Sequence, residues 1–179
     1  MIRLFVGIGL DAALTRTLES VAAGLPGARW VDAETLHVTL RFIGEVEDGI
    51  ARDIDEVLAD IHAPAFDLTL DGFGIFGHRR PHSLWAGVAR DPALERLHAK
   101  IETALVRSGL PPEPRKFLPH VTLARLTDTP ATRLQDFVAR NSPFRAGPQR
   151  VEHFTLFSST LGHGGARYDP LADYPLDSA

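Results

Sequence analysis

A short string of chemically versatile residues occurs twice in the chain. His37-Val38-Thr39-Leu40 returns in the second half as His120-Val121-Thr122-Leu123. Side chains two residues apart on a β-strand point to the same face. If each string forms a strand, its imidazole and hydroxyl share one face while its two aliphatic side chains share the other. The repeat therefore predicts two related lobes that bring two imidazoles and two hydroxyls to one cleft.

These side chains are suited to transfer reactions at phosphorus. A neutral imidazole accepts a proton from water and a protonated one donates to a departing alkoxide, and an ordinary pKa of about 6.5 allows both forms near neutral pH. Each such proton transfer contributes about 10²–10⁴ in rate. Hydroxyl and guanidinium groups bind non-bridging phosphate oxygens. None of these steps requires a metal ion. On spacing alone, a purely structural repeat is the alternative.

The elements around the two strings indicate the α+β class. Hydrophobic periodicity and turn residues predict strands over 4–10, 36–43, 66–70, 73–76, 83–89, 120–126, 151–157 and 168–176. Gly44 is expected to end the second strand. Helices are predicted from Asp11 to about 23, over about 50–61, from Pro92 to about 108, and from 129 to about 138. This order favours antiparallel sheets covered by helices on one side.

Composition restricts the class of protein. Hydrophobic residues make up 44% of the 179 residues and charged residues 23%, as in ordinary globular proteins. A net charge of −4 argues against a protein that coats nucleic acid by bulk electrostatics. With no cysteine, disulfides, thiolate zinc sites and cysteine nucleophiles are excluded. No apolar run reaches the roughly 20 residues of a membrane helix, and the first apolar stretch is interpreted as a buried strand rather than a signal peptide. A cytoplasmic location is expected.

The segments around both strings resemble the 2H phosphoesterase superfamily, which is characterised by paired His-x-Thr motifs. Within it they are most similar to the RNA 2′,3′-cyclic phosphodiesterases, also called 2′-5′ RNA ligases. The likeness extends over nearly the whole chain. It is carried by residues 3–6, 36–46, 72–76, 84–88, 117–125, 159–161 and 165–168.

The resemblance implies a single bilobal domain over residues 1–179, with a duplicated α+β fold. Two antiparallel β-sheets flanked by helices would enclose the active site between the lobes. The implied reaction opens a terminal RNA 2′,3′-cyclic phosphate to a 2′-phosphomonoester, and its reverse joins RNA ends by a 2′-5′ bond. On the family pattern His37 is the proton donor and His120 the proton acceptor, while Thr39 and Thr122 hold phosphate oxygens. No metal or cofactor is implied.

Four arginines are candidates for binding the substrate. Alternation along the strand predicts that Arg41 lies on the catalytic face. Arg125 resembles a family position, yet it falls on the face opposite His120 if the strand is regular, so that a direct contact with phosphate needs a bulge or a long reach of the side chain. Arg79 and Arg80 lie in a basic turn over residues 77–82 that either reaches RNA phosphates or is simply a solvated surface turn.

Several aromatic residues near the strings are candidates for stacking on a base. Phe76 is placed in the candidate site. Phe42 and Trp85, in contrast, are expected to lie in the core, because aromatic residues on strands flanked by glycine are usually core residues.

Two other functions are compatible with the sequence. One is a 2H phosphodiesterase acting on a small cyclic nucleotide, and the other is a non-catalytic module that binds RNA ends. In each case the expected partner is an RNA end or nucleotide bearing a cyclic phosphate, with no membrane and no obligate protein partner. A monomer is expected, since the duplication supplies both halves of the site within one chain.

Overall fold

The architecture is described for residues 1–178 of a computed structural model. Four α-helices and nine β-strands alternate irregularly along the chain. The strands are β1 (Ile2–Gly9), β2 (Ala28–Trp30), β3 (His37–Val46), β4 (Phe66–Phe76), β5 (Ser83–Val88), β6 (His120–Leu126), β7 (Arg145–Val151), β8 (His153–Gly162) and β9 (Gly165–Pro175). The helices are α1 (Ala12–Val21), α2 (Asp48–Ala59), α3 (Pro92–Arg107) and α4 (Ala131–Arg140).

The strands form one antiparallel sheet with the order β7-β4-β5-β6-β3-β1-β8-β9, and β2 pairs with β6 beside this path. The α+β class is confirmed. The two expected antiparallel sheets are the halves of this sheet, and they meet at β3 and β6 through a single residue pair, Val38 with Val121. The two histidine strings therefore lie on adjacent central strands.

One face of the sheet and the helices share a single hydrophobic core. Alternate residues of the central strands are fully buried in it, among them Val38 and Val121. Asp11 caps α1 by accepting the Leu14 N–H at 2.8 Å, as its position before an apolar stripe predicts. Asp91 caps α3 in the same way, directly before Pro92. Covering one face in this way leaves the opposite face open.

Three strand predictions are wrong in detail. Gly44 does not end β3, because its positive φ of 91° fits a bulge between β3 and β1 and the strand continues to Val46. The predicted strands 66–70 and 73–76 are one strand, since Gly72 with φ 72° allows β4 to bend at a second bulge. Strand β7 is missing from the prediction because Gly147 and Pro148 indicate a loop, whereas an edge strand tolerates proline.

Among residues 1–178, none of the helices has both the length and the apolar character needed to cross a lipid bilayer.

Candidate functional site

The paired histidine strings meet at the centre of the sheet. Val38 and Val121 face each other there and are fully buried on the helix side. Their neighbours in sequence consequently lie on the open face. Continuing the antiparallel register by one residue on each side brings His37 opposite Thr122 and His120 opposite Thr39. The four predicted catalytic side chains thus form a two-by-two array. The two histidines occupy one diagonal of the array and the two threonines occupy the other.

Both imidazoles are held by the same kind of hydrogen bond. The Nδ1 atom of His37 lies 2.7 Å from the carbonyl oxygen of Thr35, and Nδ1 of His120 lies 2.6 Å from that of Leu118. A carbonyl oxygen only accepts, so Nδ1 carries the proton in each ring. In the neutral state Nε2 is therefore the basic nitrogen, and in the protonated state it is the acid.

His37 has the more enclosed surroundings of the two. The rings of Phe5 and Tyr168 lie 4.8 Å and 5.1 Å from its ring. Its Nε2 is 3.0 Å from the Thr39 hydroxyl, which donates to the neutral ring. Burial lowers the pKa of His37, and the nearby His120 lowers it further against the opposing effect of the Thr35 carbonyl. Without a bound anion this imidazole favours its neutral form.

His120 is packed against aromatic side chains from β4 and β5. Phe76 approaches it edge-on at 5.1 Å, and Trp85 lies 5.6 Å away. The indole fits because Gly74 leaves space, since a Cβ on that glycine would lie 2.1 Å from the Trp85 ring. The assignment of Trp85 to the core is therefore wrong, while Phe76 lies beside the predicted catalytic residue as expected.

A bulge occurs at the same point of both strings. On β3 the register with β1 skips one residue at Leu40, and on β6 the register with β5 skips one at Leu123. Each bulge places two successive residues on the core side. Strict alternation fails beyond each leucine, and the side chains that follow appear on the opposite face from the one that alternation predicts.

The bulge on β3 turns Arg41 away from the catalytic face, so the expected position of this residue is wrong. Only 5% of its side chain is exposed, and its Nε lies 3.0 Å from a carboxylate oxygen of Glu102 on α3. Its guanidinium also donates to the carbonyl of Pro111. Arg41 therefore ties β3 to the helix layer.

The next residue, Phe42, lies on the open face instead of in the core where it was expected. It is 39% exposed, and the guanidinium of Arg3 lies 5.2 Å from the centre of its ring. An arginine on an aromatic face in this way forms a cation–π contact. The pair adds a flat apolar surface with a positive charge to the open face of β3.

The bulge on β6 turns Arg125 onto the same face as His120. Arg125 is exposed and pairs across the sheet with Ser83 on one side and Arg29 on the other. The guanidinium of Arg29 donates to the carbonyl of Gly164 at the tip of the β8–β9 hairpin. The second string therefore places a cation where the first string places Phe42.

Arg79 and Arg80 lie in the exposed connection between β4 and β5. This connection adjoins the end of β6, because the His82 carbonyl accepts the Leu126 N–H. Within the described part of the chain, Arg79, Arg80 and Arg125 form no ion pair. The connection that carries Arg79 and Arg80 thus adjoins the end of the strand that carries Arg125.

Sequence reasoning missed Phe5 and Tyr168 at the site, as well as Arg3 and Arg29 at its edge. For Phe5, the alternation of apolar residues along the first strand could have predicted its position. Leu4, Val6 and Ile8 are all buried on the helix side, which leaves Phe5 on the histidine face. The same alternation places Arg3 on this face, whereas Tyr168 and Arg29 depend on register between distant strands, which composition and periodicity do not specify.

For metal binding, residues 1–178 contain no cluster of three or more histidine, cysteine, aspartate or glutamate side chains with suitable geometry. On the face that carries the two imidazoles, the Thr39 hydroxyl and the Arg125 guanidinium are donors that suit an anion.

Proteins of similar sequence are named for chemistry at RNA ends. An RNA 2′,3′-cyclic phosphodiesterase of Aeropyrum pernix is 41% identical over 172 residues, which cover 93% of this chain and 96% of that protein. A protein of the same name from Escherichia coli is 32% identical over 178 residues, covering 97% of this chain and 96% of its own length.

Solved structures have the same fold. Escherichia coli LigT in its apo form superimposes with a TM-score of 0.79 at 30% sequence identity, covering 98% of this chain and 97% of that one. LigT complexed with 3′-AMP superimposes with a TM-score of 0.78 at 29% identity, with the same coverage of both chains.

The model of the 2′-5′ RNA ligase superfamily matches residues 10–162, which include both histidine strings. Together with the relatives in sequence and fold, this match shows that the chain belongs to the 2′-5′ RNA ligase superfamily of 2H phosphoesterases.

Proposed function

We propose that this protein is an RNA 2′,3′-cyclic phosphodiesterase that produces a 2′-phosphomonoester by acid–base catalysis between two histidines. The observation that carries the proposal is the central array, in which each imidazole has Nδ1 bound to a carbonyl, so that Nε2 is the nitrogen that exchanges protons, with the Thr39 hydroxyl donating to Nε2 of His37. The relatives named for this activity match nearly the whole chain. In 2′-5′ joining, a 5′-hydroxyl takes the place of water: its oxygen bonds to phosphorus as the P–O3′ bond breaks, and the same groups accept and donate the protons.

On the attacking side, His120 acts as the base. Its Nε2 takes a proton from the water as the water oxygen bonds to phosphorus. The Nδ1–H bond to Leu118 remains in place and stabilises the imidazolium that forms. Packing by Phe76 and Trp85 restricts rotation of the ring, so that Nε2 stays directed at the cleft.

On the leaving side, His37 acts as the acid. As the bond between phosphorus and O3′ breaks, protonated Nε2 gives its proton to O3′ and a 3′-hydroxyl results. Burial lowers the pKa of His37 and so favours the neutral ring in the free protein. The cyclic phosphate is an anion, and when it binds beside the ring it raises the pKa of His37. Substrate binding therefore favours the protonated ring that acts as the acid.

The remaining polar groups bind the phosphate oxygens. Thr39 and Thr122 lie between the two rings and donate hydroxyl hydrogen bonds to the non-bridging oxygens, whose charge grows in the transition state. Arg125 adds a cation on the same face. Arg79 and Arg80, in the exposed connection beside the end of β6, add positive charge that attracts RNA phosphates.

The proposal includes a monomeric enzyme in the cytoplasm, with RNA ends or nucleotides carrying a cyclic phosphate as its ligands. Both halves of the array come from one chain, which supports a monomer. Bacterial and archaeal relatives and a chain without cysteine are consistent with a reducing compartment. Escherichia coli LigT has been solved with 3′-AMP and with ATP, and nucleotides are ligands of the class proposed here.

The test uses an RNA oligonucleotide with a 2′,3′-cyclic phosphate end, followed by mapping of the product phosphate. Wild-type protein should yield a 2′-phosphate, and H37A and H120A should each lower kcat by about 10²–10⁴ because each removes one proton transfer. H62A is the matched control, because His62 is exposed and follows α2 on the helix side. Its activity should equal that of the wild type.

Two outcomes would favour other functions. Hydrolysis of a small cyclic nucleotide with no hydrolysis of the oligonucleotide indicates a different 2H phosphodiesterase. Tight binding of cyclic-phosphate RNA without turnover, retained in both histidine variants, indicates a binding module. A 3′-phosphate product contradicts the assigned roles, because it requires the 2′-oxygen to leave.

A further inference from the structure

The sheet alone does not fix the distance between the two imidazoles. The strands that carry them, β3 and β6, share only the Val38–Val121 pair. On its other side each strand forms a long ladder, β3 with β1 and β6 with β5. Two strands joined at one point can rotate about it. A displacement of about 1 Å between catalytic groups reduces rates by as much as about a hundredfold, so a second connection between the strands has catalytic consequences.

Arg41 and Glu102 supply a second connection. Arg41 follows the first string on β3, and its Nε lies 3.0 Å from Oε2 of Glu102 on α3. Both atoms are buried and neither forms a hydrogen bond within residues 1–178, so their contact is purely an ion pair. Arg41 also donates to the Pro111 carbonyl, and Oε1 of Glu102 accepts the Glu113 N–H at 2.8 Å. The ion pair therefore holds the backbone at two points of the segment after α3.

That segment leads directly into His120. We call residues 110–119, which contain four prolines, the proline segment. Further along it, the ring of Phe117 stacks on His98 of α3, with centroids 3.8 Å apart and planes inclined by 2°. The next residue, Leu118, provides the carbonyl that accepts the His120 Nδ1–H. The proline segment is thus held at residues 111, 113 and 117, just before the Leu118 carbonyl that orients the His120 ring.

We propose that Arg41 and Glu102 are positioning residues for the reaction, which hold the proline segment against β3 and thereby set the orientation of His120 relative to His37. This inference rests on the proposed function. Arg41 lies one residue past the first string's bulge, and the contacts of the pair with Pro111 and Glu113 reach the segment that leads to the second string. The ion pair therefore connects the two catalytic strands outside the sheet. Neither residue touches the substrate.

The main variant is R41M/E102L, which removes both charges and leaves no buried charge without a partner. Its matched control is R90M/E95L, which removes an exposed ion pair beside the start of the same helix. R41K is the conservative variant, because lysine retains the charge beside Glu102 but lacks the planar fork that also reaches Pro111. E102Q keeps an acceptor for Glu113 and removes only the charge.

Two measurements are made on each folded variant. The first is kcat and KM for the cyclic-phosphate oligonucleotide, and the second is the ring ¹⁵N chemical shifts of His120, which report its tautomer without substrate. For R41M/E102L we expect kcat to fall about tenfold to a hundredfold with KM little changed. We also expect a loss of the pure Nδ1–H tautomer. R41K should lie between this variant and wild type, and R90M/E95L should match wild type.

Wild-type kcat and an unchanged His120 tautomer in R41M/E102L would overturn the proposal. If that variant does not fold, the same two readouts on R41K and E102Q decide the question, with wild-type values in both counting against it. An inactive wild-type protein would refute the proposed function, and the tautomer measurement would still test the positioning role.

Discussion

At the residue scale, the two histidines have the same backbone anchor but different surroundings. Each Nδ1 donates to the carbonyl two positions earlier in the chain, so the two neutral rings have the same tautomer. They differ in burial, because Phe5 and Tyr168 enclose His37. The distinction between acid and base in the proposed reaction therefore arises from neighbouring side chains rather than from the strings themselves.

The lowered pKa of His37 leads to a titration prediction. In the free protein its NMR titration midpoint should lie below 6.5, because burial disfavours the imidazolium. Adding inorganic phosphate should raise the midpoint. Since the folded pKa is below the unfolded value, the contribution of neutral His37 to stability is present above pH 6.5 and is lost as pH falls through the folded pKa. A midpoint at or above 6.5 without phosphate would contradict the assignment.

Arg125 gives a second prediction at this scale. R125A should lower kcat/KM for the cyclic-phosphate oligonucleotide by an amount equivalent to about 1.5–3 kcal/mol, the contribution of a charge-assisted hydrogen bond. Steady-state kinetics at several salt concentrations measures the loss, which should shrink as salt screens the charge. R52A on the exposed side of α2 serves as the control. Equal kinetics for R125A and R52A would exclude a phosphate contact.

The sequence was sufficient to predict that the four central side chains share one face of the sheet, but not which face each arginine occupies. His37, Thr39, His120 and Thr122 depend only on period-two alternation over three residues, which holds in both strands. The arginine positions lie beyond a bulge, and a single inserted residue exchanges the two faces. For this reason the face predicted for Arg41 is wrong, while Arg125 reaches the open face through a bulge, one of the two possibilities considered for it.

At the scale of elements, glycine sets how closely the outer strands approach the catalytic ones. A Cβ on Gly7 of β1 would lie 2.8 Å from the Val38 carbonyl oxygen and 3.6 Å from the His37 ring. Gly9, on the same strand and directly opposite His37, has nothing within 4 Å of such a Cβ. The two glycines therefore differ in what they permit.

G7A should separate β1 from β3 and displace His37. We expect the free energy of unfolding to fall by about 1–3 kcal/mol, as for other overpacked sites, and hydrolysis to decrease with it. Urea denaturation and kinetics on the oligonucleotide are the measurements. G9A should retain wild-type activity and equal or slightly higher stability. Equal effects of the two substitutions would mean that the contact at Val38 does not position the strand.

Element prediction succeeded where one physical signal dominated. Helix α3 has an aspartate cap, a proline at its first position and a regular apolar stripe, and its bounds agree with the prediction. Strand β7 has glycine and proline in place of alternation, and it forms because β4 offers a free edge for pairing. The pairing that stabilises β7 is provided by β4, so the sequence of residues 145–151 alone does not predict a strand.

At the scale of the whole molecule, the chain crosses between the halves of the sheet. Strands β8 and β9, from the C-terminal end, join the half that contains β1, and Arg29 donates to the tip of their hairpin. The side chains of both halves contribute to a single core. We propose that residues 1–179 behave as one domain, since neither half has a contiguous sequence of its own.

Thermal unfolding should accordingly be a single cooperative transition. Calorimetric and van't Hoff enthalpies should agree, as they do for two-state domains. Intrinsic fluorescence should give the same midpoint, because Trp30 packs against Phe137 of α4 while Trp85 lies at the catalytic cleft. Two resolved transitions, or different midpoints by the two methods, would instead indicate lobes that unfold separately.

The paired bulges have a consequence for how sequences of this kind are compared. In each string the fifth position, Arg41 or Ala124, enters the core, and the sixth, Phe42 or Arg125, reaches the open face. A survey that looks for ligand preference should therefore tabulate the column three places after each threonine. The column before it holds Arg41 or Ala124, and variation there reflects contacts between the strand and the helix layer. Grouping the two columns would confuse residues that face a ligand with residues that stabilise the fold.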